Sequence, residues 1–130
     1  MPKFLFIAAA AYLALIGLAL LVVPAQFGVG AVPEDASPEL IALLRLLSGP
    51  FLGVAVLNWI SRKAEPGTAR TAVLLADLVG FGVVAVNDIW GVISGDARDL
   101  ARLFLIVHLA FAVAFAVAWW RSRRAPVPAP

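Results

Sequence analysis

The chain has 130 residues, 63% of them hydrophobic and 14% charged, with a formal net charge of +2 and no cysteine. A soluble domain carries about a quarter charged residues, so this composition, with a mean hydropathy of +1.00, excludes an ordinary water-solvated surface. So small a net charge argues against nucleic acid as a partner, and the lack of thiols removes disulfides, thiolate metal sites and dithiol exchange.

A helix needs about 20 apolar residues to cross the roughly 30 Å hydrocarbon core of a bilayer, and four segments reach that length. The first covers residues 4–23 and stops before Pro24. A basic start before an apolar run also describes a signal peptide, but this run exceeds the usual h-region of about 7–15 residues, so it is expected to stay as a span. The second covers 39–60 and is opened by Ser37-Pro38-Glu39, an N-cap, a proline at the first helical position and an early acid. Pro66-Gly67-Thr68 turns the chain into the third, 69–93. Asp96 and Asp99 resemble a capping box and open the fourth, 97–120. Residues 125–130, APVPAP, read as an extended proline-rich tail. Loops this short make neighbouring spans antiparallel, which predicts an all-α, transmembrane up-down-up-down four-helix bundle forming one domain over residues 1–124.

Loop charge gives the expected orientation. Lys3 precedes the first span, Arg62, Lys63 and Arg70 flank the second loop, and Arg121, Arg123 and Arg124 follow the fourth span. The first loop carries Glu34 and Asp35 and no basic residue; the third carries Arg98, with Arg102 close behind. The positive-inside rule then places both termini and the second loop in the cytoplasm of a bacterial inner-membrane protein. Trp59, Trp119 and Trp120 fall at that boundary and Trp90 near the opposite one, as an aromatic belt requires.

Ionisable groups at membrane depth are costly and mark function by default. Arg45 lies roughly 9 Å inside the outer end of the second span, and Asp88, with Asn87 beside it, lies at a similar depth in the third. They are expected to form an interhelical ion pair that staples the two spans; a ligand or ion site, or an arginine snorkelling to the interface, are the alternatives. Asp77 shares a face with Asp88 through Phe81 and Val84, and Asn58 of the second span is placed to approach it. The two aspartates, about 16 Å apart along the axis, are too distant to share a proton. They read as two stations of a proton path or, more simply, Asp77 is protonated and hydrogen-bonded to a neighbouring helix. His108, the sole histidine, is expected to make an interhelical hydrogen bond. A nucleophilic pair with Ser48 rests on shared depth alone, and two axial histidines for a haem cannot come from one chain. Gly49 and Gly53 form a GxxxG spacing on the face of Arg45 and suit close helix packing. No cofactor or metal is predicted.

The apolar first helix, the acidic outer loop, the run LLRLLSGPFLGVAVLNW with its basic ISRKAEPG turn, and the RSRR end resemble small bacterial four-helix membrane proteins of the DoxX-like type. The resemblance implies an inner-membrane protein, sometimes an accessory subunit of a redox system, and transfers no active site. The expected role is therefore an accessory or scaffold subunit without catalytic activity, surrounded by lipid and assembling with itself or within a larger membrane complex. The alternative is a small proton-linked transporter or permease using Arg45, Asp77, Asp88 and His108.

Overall fold

The computed structural model describes residues 2–124, so the proline-rich tail expected at 125–130 lies outside the described residues. The elements are α1 (Pro2–Val22), α2 (Pro24–Phe27), α3 (Pro38–Ser61), α4 (Thr68–Ser94) and α5 (Ala101–Arg124). No strand occurs among the described residues, and α1, α3, α4 and α5 are each long and apolar enough to cross a membrane. This is the expected all-α class, with the helices that a four-span bundle requires.

Local chemistry sets most of the boundaries. Pro24 disfavours helical geometry at the residue before it, and Val23 leaves the helical region at φ −130°, ψ 53°. A single further turn, α2, follows. At α3 the hydroxyl of Ser37 accepts from the Leu40 amide at 3.3 Å, Pro38 takes the first helical position and Glu39 the first turn. The helix runs on through Pro50, which has no N–H to offer the Leu46 carbonyl. Gly95 closes α4 at φ +80°, a left-handed conformation that a side chain would strain.

The chain divides into two compact units: Phe6–Arg62, and Lys63 onward together with the first residues to Leu5. In the first, α1 and α3 run antiparallel. A Cβ at Gly17 would stand 2.8 Å from Leu52 Cγ and 3.2 Å from Phe51 Cβ, while Ile7 at the other end of α1 shares a groove with Trp59. In the second, α4 and α5 pack as an antiparallel hairpin, with Phe81 on Phe111 and Phe115, and Asp88 on His108 nearer the turn.

Three expectations change. α5 begins at Ala101, a turn later than residue 97, because Asp96 and Asp99 belong to the connection. There the Ala97 amide donates to the Gly91 carbonyl and the Ala101 amide to that of Arg98. Arg45, Gly49 and Gly53 lie on an exposed face of α3, whereas its buried residues are Ser48, Ala55, Asn58 and Ser61. The physical reason is that α3 is apolar nearly all round, so apolarity does not mark its inner side, and the small polar side chains do. On α4, Ala85 at 2% exposure, not Val84 at 37%, joins Phe81 on the buried stripe.

Candidate functional site

The α4–α5 hairpin brings together the strongest polar constellation within one unit. Val73, Leu74, Asp77, Phe81 and Ala85 form the buried stripe of α4. Asp88 continues it two helical turns beyond Phe81, since seven residues return to nearly the same face. On α5 the spacing Phe104, His108, Phe111, Phe115 keeps one face by the same rule.

Where the stripes meet, Nδ1 of His108 lies 2.5 Å from Oδ2 of Asp88. Both side chains are largely but not wholly covered, at 12% and 15% exposure. Aromatic rings flank the imidazole along the hairpin. Phe81 stacks on Phe111 at 4.5 Å between centroids and approaches His108 at 6.2 Å, and Phe104 lies over His108 at 6.0 Å. Phe115, fully buried, continues the stack away from the turn.

Holding one proton between them, the two side chains carry no net charge, either as carboxylate with imidazolium or as carboxylic acid with imidazole. Neutrality is what a low-dielectric setting demands, because an isolated charge there is expensive. A carboxylate on Nδ1 also orients the ring and directs any further hydrogen bond, ligation or proton transfer to Nε2. Positioned in this way, the two residues can fasten two helices, and they can hold and pass a proton.

The remaining expected residues are distributed as follows. Asp77 is buried at 3% exposure, eleven residues before Asp88 on the same stripe. Asn87, beside Asp88, is exposed. Asn58 is fully buried in α3 and donates through Nδ2 to the Val54 carbonyl of its own helix at 3.1 Å. Gly49 and Gly53 have nothing within 4 Å of where a Cβ would stand. Together with the exposed Arg45 they make a notched, singly charged face on α3. The close-approach glycine of this unit is Gly17, which the GxxxG spacing did not single out. The interhelical hydrogen bond expected of His108 is present, and Asp88 supplies it. The observed helix ends make the two level: Asp88 stands six residues before the end of α4 and His108 seven after the start of α5.

Among the described residues no three His, Cys, Asp or Glu side chains gather as a metal site would need. No family model matches the chain, and no curated protein and no solved structure matches it either.

Proposed function

We propose that the chain is a non-catalytic, multi-pass protein of the bacterial cytoplasmic membrane, with both termini inside, acting as an accessory or scaffold subunit. The observation that carries this reading is the α3 face, where Gly49 and Gly53 open onto space beside the exposed Arg45. Small residues let a second helix approach closely in lipid, and an arginine at membrane depth favours a partner that brings a carboxylate or polar group. The DoxX-like resemblance of the same stretch agrees with a subunit role. Purified in mild detergent, the chain should crosslink to itself or to a second membrane protein. Gly49→Leu with Gly53→Leu should abolish that product. A strictly monomeric wild type with no crosslinked partner would refute the reading.

A second reading, a proton-linked transporter, is favoured by the Asp88–His108 pair with Asp77 farther along the same stripe. It expects proteoliposomes to show a proton-coupled flux that Asp77→Asn or Asp88→Asn lowers at least tenfold, about 1.4 kcal/mol in barrier height. Flux indifferent to both substitutions would remove it.

A further inference from the structure

An open groove of about 360 Å³ runs along the α1–α3 pair, lined by Ile7, Ala10 and Ala14 on one side and by Ala55, Val56 and Trp59 on the other. Its origin is in the sequence. Ala10 and Ala55 are buried and form the floor, and alanines on facing helices leave unfilled the volume that larger side chains would take. From Ile7 to Ala14 it extends about 10 Å along α1.

Its basic end is built differently from the rest. Trp59 is half exposed in the last turn of α3. The guanidinium of Arg62 lies 3.5 Å from the centroid of the Trp59 ring and donates to the Trp59 carbonyl. The cation is thereby held at the helix end, the level at which a headgroup phosphate sits, and Lys63 follows directly in the chain. A tryptophan and a stacked arginine at a helix end are well suited to the bilayer interface, where one part of each side chain is apolar and the other wet.

The order of the parts selects the occupant: an apolar channel that ends at Trp59 with the Arg62 cation stacked on it matches the order of hydrocarbon and phosphate in a lipid at the bilayer interface. A hydrocarbon chain is slender enough to enter, and it is the material that surrounds a membrane helix pair. We propose that this groove binds one acyl chain of an anionic phospholipid, whose phosphate is held by Arg62. The inference rests on the membrane setting of α1 and α3 and is independent of both the accessory and the transport readings.

Native mass spectrometry tests it on the full chain, reconstituted into phosphatidylcholine vesicles containing phosphatidylglycerol and extracted into mild detergent. The wild type should retain one phosphatidylglycerol in preference to phosphatidylcholine. Ala11→Phe enters the groove from an exposed position on α1, and Val56→Phe does so from α3; each should lose the retained lipid while keeping the wild-type helical circular dichroism. Should one of them fail to fold, the other carries the comparison. Arg62→Gln should keep the lipid but lose about fivefold in preference for the anionic headgroup, the share of one interfacial cation. Equal retention by wild type and both filled variants would overturn the proposal, as would retention indifferent to headgroup charge. So would a filled variant that turns a dimer into a monomer with its lipid unchanged, for the groove would then be a contact between copies.

Discussion

At the scale of single residues, the most consequential contact is that between Asp88 and His108. Removing either partner leaves the other polar group in a setting that penalises it, and helix–helix hydrogen bonds in bilayers couple by about 0.6 kcal/mol on average and up to about 1.7. Asp88→Asn and His108→Gln should therefore each lower stability in detergent by about 1–2 kcal/mol. The double variant should recover a coupling of about 1 kcal/mol, read from thermal melts as a double-mutant cycle. The same cycle on Arg45→Gln and Asp88→Asn tests the pairing expected from the sequence: additive losses mean that His108 alone serves the carboxylate. The residue types were legible in the sequence, but recognising His108 as a partner of Asp88 turned on where α5 starts. Taking Asp96 and Asp99 as a cap moved the start four residues earlier and set His108 about 6 Å too deep, which concealed that it lies level with Asp88. Counting inward from the observed helix ends, Ser94 and Ala101, pairs them.

At the scale of the helix, termini and inner faces differ in how they are written. Ser37, Pro38, Pro24 and Gly95 act through local backbone chemistry, so the ends they govern follow from the sequence alone. Inner faces follow from packing, and in lipid an apolar side chain suits either side of a helix. The GxxxG spacing at Gly49 and Gly53 accordingly drew attention to a face that is open, while the close approach of α1 to α3 occurs at the isolated Gly17. Gly17→Leu should thus be destabilising by about 1–3 kcal/mol, the usual cost of overfilling a packed seam. Gly80→Ala offers the contrast, because Gly80 is helical, exposed and has open space around its Cβ position. That change should raise stability by about 0.5–1 kcal/mol through helix propensity. Denaturant titrations of both variants in one detergent check the pair. A Gly17→Leu protein as stable as the wild type would mean that α1 and α3 do not meet as described.

At the scale of the whole molecule, the number of membrane-length helices was legible because it depends only on apolar length, and each of the four expected segments overlaps one. Orientation is a different matter: it is set during insertion by loop charge, which no packing contact records. The connections differ sharply in charge. Arg62, Lys63 and Arg70 surround one connection, Lys3 precedes the first span and Arg121 follows the last, and Glu34 and Asp35 occupy a loop without any cation. Charges near spans, in loops as short as these, are the ones that the rule weighs. With no cysteine in the sequence, single introduced cysteines report each loop against a silent background. In intact spheroplasts a membrane-impermeant maleimide should label Glu34→Cys and Asp96→Cys, both exposed positions. Glu65→Cys, equally exposed, should label only after lysis. Replacing Arg62, Lys63 and Arg70 together by glutamine removes the bias on that loop, and a fraction of Glu65→Cys should then become reachable from outside. Labelling of Glu65→Cys in intact cells with the basic residues still present would invert the topology. It would also move the basic end of the α1–α3 groove to the opposite face of the membrane.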